Sequence, residues 1–410
     1  MKTTCFTLTA IATCAFLFSA CTETATSTQA GFFNFPSKPK PPPPDPALQS
    51  FLDTYDRYFN DSMLQAGPPG AAVVIVKDSQ VVLVKGYGEK AFGGHDPVDA
   101  NTVFRIGSLS KGFSSVLTSI LVNKGLLDWT DPVQEYYPAF SLKDKKQAQR
   151  VEIRHLLSHT TGLPYQAFGN LIEQGFDLET IAKQYFPTAK LFGREGEFFG
   201  YQNTAYSVIG PVLEAVTGKA YQALLAEYIF RPAGMRTASC DYETMLLNGN
   251  KALPHVSTKT GWFVDTISPL YYRFAPAGGV NASATDMGKW LLVLLGQKPE
   301  VASVAVLDEV FQPVISTGLE RRVLPGWIAR DSAAYALGWR ILATGSDTLV
   351  YHSGYVNNFY SEIAFNRREK TGICVLFNGN TSMRGACIRE FFEKWKACQA
   401  PVARDGLPRL

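Results

Sequence analysis

The spacing of apolar positions changes from segment to segment along this chain, and each spacing predicts an element. Leu48, Phe51, Leu52, Tyr55 and Phe59 recur at helical spacing, so a helix opens the folded part near Ala47. Gly67-Pro-Pro-Gly70 ends it. Two β-rich runs follow at 71–76 and 80–84, and the Lys-Asp-Ser between them predicts a hairpin. A long helical stretch begins at Ser108 and ends at Gly125. Residues from 130 to about 235 read as mainly helical, with turns marked by Gly and Pro. Near the other end, apolar or aromatic runs at 335–342, 348–352, 360–366 and 372–378 are broken by turn residues and predict strands; a final helix covers 382–396. No internal repeat is visible. The pattern is of the α/β (α+β) class, its α/β part built from 47–130 and 270–400 and interrupted by a mainly helical insertion, 131–269.

Composition fits a folded chain of this length. Of 410 residues, 46% are hydrophobic and 18% charged, and the net charge is +3 with both signs interspersed. There is no basic block and no zinc-finger spacing, so no nucleic-acid partner is expected. The N-terminus changes the picture. Lys2 is the only charge before Glu23, residues 6–20 are largely apolar, and Ser19-Ala20 are small, as a signal peptide over 1–20 requires. The segment is too short to span a bilayer comfortably. Cys21 follows directly in Leu-Phe-Ser-Ala-Cys, which resembles the lipobox of bacterial lipoproteins; plain secretion with an incidental cysteine is the alternative. Residues 21–46, Thr/Ser-rich and then proline-rich, form an extended spacer. The expectation is an exported, periplasmic protein that meets the membrane only through a lipid on Cys21, with Thr22 after it favouring the outer membrane. Cys5 and Cys14 leave with the signal. Cys240, Cys374, Cys387 and Cys398 show no CxxC spacing and read as inert buried thiols, although an exported protein permits a disulfide.

The densest chemistry lies in Phe-Arg-Ile-Gly-Ser-Leu-Ser-Lys-Gly-Phe at 104–113. Ser108 and Lys111 are three apart at a helix start, so hydroxyl and amine meet across one turn. Serine is a weak nucleophile that needs a neighbouring base, and a buried lysine of lowered pKa supplies one. Ser110 lies about 100° further round the helix and faces elsewhere. Tyr201-Gln-Asn203 precedes a helix expected near Ala205; in an extended loop the Tyr and Asn side chains share one side. There Tyr201 exchanges protons with Ser108 and the leaving group, and Asn203 bonds Lys111 or a substrate carbonyl. His352-Ser353-Gly354 is placed at a strand end, where Gly354 lets a substrate approach the backbone. The Tyr355 and Ser108 amides then provide two oxyanion donors.

Together these residues resemble the serine β-lactamase and penicillin-binding superfamily, in its class C β-lactamase and D-peptidase-like branch. That family carries Ser-X-X-Lys, Tyr-X-Asn and Lys/His-[Ser/Thr]-Gly in this order. His155-Leu-Leu-Ser-His-Thr-Thr-Gly-Leu-Pro164, Pro232-Ala-Gly-Met-Arg-Thr237 and Pro276-Ala-Gly-Gly-Val280 look like its other landmarks, and the likeness covers about residues 48 to 397. It implies an antiparallel sheet flanked by helices, Ser108 acylated, and Lys111 and Tyr201 handling protons. Asn203, Gln166, His352, Ser353, Gly354 and Tyr355 would contact the substrate. It implies no cofactor and no metal. His352 stands where class C enzymes usually have lysine, and a histidine is charged only part of the time near pH 7. The family's D-aminopeptidases and esterases carry His there, so the resemblance is closer to them at this point. Tyr355 also puts a large side chain beside the oxyanion position.

Other constellations are weaker. His155 and His159 are four apart and would share a helical face, but no acidic residue of a His-Glu-X-X-His pattern and no third ligand accompanies them, so the pair reads as structural. No Gly-X-Ser-X-Gly elbow and no phosphate loop occurs. Phe198, Phe199, Tyr271, Tyr272 and Phe359 line an apolar site or pack in the core. The expected function is a serine hydrolase taking a small amide or ester, favoured as a β-lactam or a peptidoglycan-derived D-amino-acid amide. A carboxylesterase of the same fold and a penicillin sensor without turnover stand as alternatives.

Overall fold

The structure is a computed structural model that describes residues 45–318, 332–344 and 347–399. The expected signal peptide, Cys21 and nearly all of the spacer lie outside the described residues. Helix α1 (Pro46–Ala66) opens with Asp45 accepting the Ala47 N–H and proline in its first turn, where a missing N–H costs nothing. Among the described residues twelve strands follow in chain order: β1 (Gly70–Lys77), β2 (Gln80–Gly88), β3 (Val103–Arg105), β4 (His255–Thr258), β5 (Gly261–Val264), β6 (Asn281–Ser283), β7 (Ile315–Ser316), β8 (Ser332–Tyr335), β9 (Arg340–Thr344), β10 (Asp347–Val356), β11 (Phe359–Asn366) and β12 (Thr371–Phe377). Eight form one antiparallel sheet in the order β2-β1-β12-β11-β10-β9-β8-β7.

Both sheet faces are covered, which explains why β1 and β12 are apolar without alternation. Ala71, Val73, Ile75, Tyr351, Val375 and Phe377 point to the face packed by Phe51, Tyr55 and Phe59 of α1 and by Phe391 and Trp395 of the C-terminal helix (Ala386–Gln399). Ala72, Val74, Val350, Ile363, Cys374 and Leu376 point the other way, against Phe113 and Leu117 of helix α2 (Ser110–Asn123) and Met287 and Trp290 of the helix Ala284–Leu294. The sequence from α2 to β4 is short helices and loops, as its turn spacing predicts.

Two boundaries differ from the pattern. The apolar run 335–342 is not one strand. Tyr335 ends β8, the chain turns at Gly338 (φ +79°), and Arg340 begins β9 in register with Tyr335. The final helix starts at Ala386 rather than 382, after a turn with Gly385 at φ +72°. Among the expected buried thiols, Cys240, Cys374 and Cys387 are buried, but Cys398 is exposed; all four are free.

Candidate active site

Ser108 sits in a single 3-10 turn, Gly107–Leu109, that feeds directly into α2. Gly107 holds φ +50°, and a Cβ there would lie 2.7 Å from the Tyr355 nitrogen, so the turn and β10 are packed backbone to backbone. Lys111 is one turn on and fully buried, with Nζ 3.1 Å from Ser108 Oγ. Nζ is also 2.7 Å from Asn203 Oδ1 and 3.0 Å from the Ala277 carbonyl. Burial, then the nearby Arg340 charge, hold its pKa well below that of an ordinary lysine. A neutral amine has two N–H groups and one lone pair. Nζ faces three oxygens, and once the two fixed ones take N–H groups a neutral amine has its lone pair free for the Ser108 hydroxyl, to which an ammonium would instead donate. Ser110 turns away as expected, accepting the Val280 N–H and donating to the Gly107 carbonyl.

Asn203 begins a helix, Asn203–Ser207, two residues earlier than the pattern suggests. Tyr201 precedes it in a loop and bonds Ser108 through its hydroxyl. Burial pushes the phenol pKa up, so the hydroxyl stays protonated beside Oγ. The Ser108 hydroxyl thus lies between a buried phenol and a buried amine. The Gln166 N–H donates to the Tyr201 carbonyl at 2.8 Å, and Asn203 Nδ2 lies 3.5 Å from Gln166 Oε1. These groups share one cleft of about 620 Å³ in which Ser108, Gln166, Tyr201, Asn203, Ser353, Gly354 and Tyr355 all take part.

His352 is absent from that lining and is 1% exposed. It lies inside β10, not at a strand end, and points to the interior. Its Nδ1–H donates to the Ser353 carbonyl at 2.8 Å, because a carbonyl only accepts, and Nε2 accepts from Tyr335 Oη at 3.1 Å. Burial, then Arg340 and Lys111, hold its pKa well below the imidazole range, so it is neutral. The substrate contact that the resemblance implies for His352 is corrected by this placement. The reason for Gly354 also changes. A Cβ there would lie 2.1 Å from the Ile106 carbonyl and 2.4 Å from Ser361 Oγ, so the protein itself, rather than a substrate, requires the close approach. Tyr355 is 54% exposed at the mouth of the cleft, its ring 4.8 Å from that of Tyr360.

The family model described as Beta-lactamase matches residues 55–393. The chain belongs to the β-lactamase family. Its relatives include the protein flp of Staphylococcus aureus strain MW2, 25% identical over 76% of this chain and 60% of that protein. Another is β-lactamase-like protein 4 of Dictyostelium discoideum, 26% identical over 84% of this chain and 62% of that protein. The chain thus spans about 60% of the length of these curated relatives. The fold is shared with the octameric penicillin-binding protein homologue of Pyrococcus abyssi, at TM-score 0.71 and 23% identity over 83% of this chain and 77% of that one.

The β-lactamase-family motifs do not announce every residue at the site. Arg340 lines the cleft, 8% exposed, with Cζ 5.5 Å from the ring centres of both Tyr201 and Tyr335. Its signal in the sequence is a lone charge in Tyr-Ala-Leu-Gly-Trp-Arg-Ile-Leu-Ala, a run that otherwise buries itself. His159 packs under Tyr201 at 4.3 Å between ring centres. It shares no helical face with His155, because the helix Ile153–Leu157 has ended and His159 takes φ +58°. The Nδ1 atoms of these two histidines accept the Glu152 and Gln202 N–H groups. Of the aromatic candidates, Tyr271 lines the cleft, Phe359 is core, and Tyr272 stacks on Arg105.

Proposed function

We propose that the protein is a serine hydrolase that forms an acyl-enzyme on Ser108 from an amide or ester. The observation that carries this reading is the fully buried Lys111, whose amine has two fixed acceptors and presents its remaining valence to Ser108 Oγ. Two titratable groups whose environments push their pKa values apart make an acid–base pair. Here Lys111 is the base, and Tyr201 the acid. Ser108 Oγ attacks the carbonyl carbon as its proton passes to Lys111 Nζ. The carbon–nitrogen or carbon–oxygen bond then breaks as Tyr201 gives its proton to the leaving group. Lys111 ends protonated and Tyr201 deprotonated, and transfer between them resets the pair before water attacks the ester. The Ser108 and Tyr355 amides are the candidate oxyanion donors, since β10 lies against the serine turn. Gln166 and Asn203 sit where an acyl-side amide would lie, and Ser353 offers a hydroxyl along β10.

The favoured substrates are β-lactams or D-amino-acid amides of cell-wall origin, which accords with the export and Cys21 lipidation proposed from the sequence. The experiment is intact-mass analysis of the protein mixed with benzylpenicillin, and separately with a fluorophosphonate, beside Ser108→Ala. The expected result is an adduct on Ser108 and drug loss, both abolished in the variant. An adduct without drug loss would make the protein a sensor. Fluorophosphonate labelling alone would move the substrate to esters or peptides, and labelling that survives in Ser108→Ala would overturn the nucleophile.

A further inference from the structure

Class C enzymes put a lysine where this chain has His352, and His352 is neutral and turned inward. The charged and titratable groups around Tyr201 are Lys111 of α2, Tyr206 and His159 beneath it, Tyr335 of β8, Arg340 of β9 and His352 of β10, with Tyr165 and Tyr271 at the rim. Burial holds the histidines and Lys111 well below their ordinary pKa values. Arg340 is the standing positive charge of this set, since a guanidinium keeps its proton.

Its place is fixed by β-pairing rather than by a flexible loop. Arg340 is in register with Tyr335 on one side and with Tyr351, the residue before His352, on the other. The guanidinium packs at 5.5 Å from the ring centres of both Tyr201 and Tyr335, almost out of solvent. A cation so placed, where water screens it little, stabilises negative charge on a neighbouring phenol oxygen.

We propose that Arg340 is the positioning cation of the cleft: held over the Tyr201 ring by β9, it supports the negative charge that grows on the phenol oxygen as the Tyr201 proton passes to the leaving group. It acts through Tyr201. The same charge disfavours a proton on Lys111 and keeps the base ready. The inference rests on the acyl-transfer reading above.

The test compares Arg340→Met, which keeps the alkyl packing, and Arg340→Lys, which keeps the charge. Each is checked by circular dichroism and melting. Two readouts are followed: the pH dependence of fluorophosphonate labelling at Ser108, and kcat/KM across acetate esters from p-nitrophenyl to simple alkyl. In Arg340→Met the acid limb of labelling moves up by about one pH unit. Its loss of kcat/KM is small for the p-nitrophenyl ester and about tenfold larger for the alkyl esters, which need protonation to leave. Arg340→Lys restores most of both. A uniform loss across leaving groups with an unmoved limb, or no rescue by lysine in a folded variant, would reduce Arg340 to packing and overturn the proposal. If Ser108→Ala turns over the esters equally well, the acyl-transfer reading itself fails; if turnover is Ser108-dependent and the Arg340 readouts do not move, only the Arg340 proposal fails.

Discussion

Lys111 has the two oxygens it needs as a neutral amine and no carboxylate among its bonded partners. An ammonium at the same place would carry an unpaired charge in a fully buried site, which is the costlier state. The activity this predicts rises with pH through the Lys111 pKa and reaches its plateau well below an ordinary lysine's 10.5. Arginine keeps the charge but never offers a lone pair near neutrality. Lys111→Arg should therefore lose roughly a thousandfold or more in Ser108 labelling by fluorophosphonate, with folding preserved by circular dichroism. Retention of labelling within tenfold would mean that Tyr201, not Lys111, takes the serine proton. The Ser108–Lys111 pair was legible from type and spacing, because a Ser-X-X-Lys on a helix start has one geometric reading; Tyr201 drew its weight from standing beside that pair and from the family resemblance. Arg340 was not legible, because its role comes from a strand register that no local pattern encodes.

At the scale of elements, the site depends on β10 lying against the turn that carries Ser108. Gly107 permits this twice over, by its positive φ and by leaving room for the Tyr355 backbone. Gly107→Ala should cost about 1–3 kcal/mol of stability, because it strains the turn and presses a methyl into β10. It should also slow Ser108 labelling more than it lowers melting, since the serine is displaced with its turn. A variant with wild-type labelling kinetics would show that the turn tolerates the shift. The first helix and hairpin of the folded part were readable because α1 has helical periodicity and a turn tripeptide separates the two β-rich runs. The 335–342 run misled because an apolar stretch says nothing about a turn taken by Gly338. His352 misled for a related reason. Its motif fixed a place on β10, but alternation along the strand put its ring on the α2 face and Ser353 on the other.

Across the whole molecule, four of the five histidines are wired as neutral bases. Nδ1 of His155 and of His159 accepts a backbone N–H, as does Nε2 of His255 from Phe92, and Nε2 of His352 accepts from Tyr335. Burial, the leading cause in each, lowers all four pKa values from 6.5. The unfolded chain therefore binds protons below about pH 6.5 that the folded chain refuses, so stability present above that pH is lost as pH falls toward the folded values. For His159 and His352, both fully buried, the slope approaches about 1.4 kcal/mol per pH unit each. Glu362 works on the other side. Its buried carboxyl, bonded by the Tyr351 hydroxyl and the Gly385 N–H, has a raised pKa, so its contribution is present at low pH and lost as pH rises through the folded value. Urea midpoints should be highest near neutrality and fall steeply below about pH 6.5. His159→Gln should flatten that fall by about one proton's share even if it weakens the fold at neutral pH. A midpoint that stays level from neutrality to about pH 5 would mean that these rings accept protons in place, and that the packing around Tyr201 yields more readily than its burial implies.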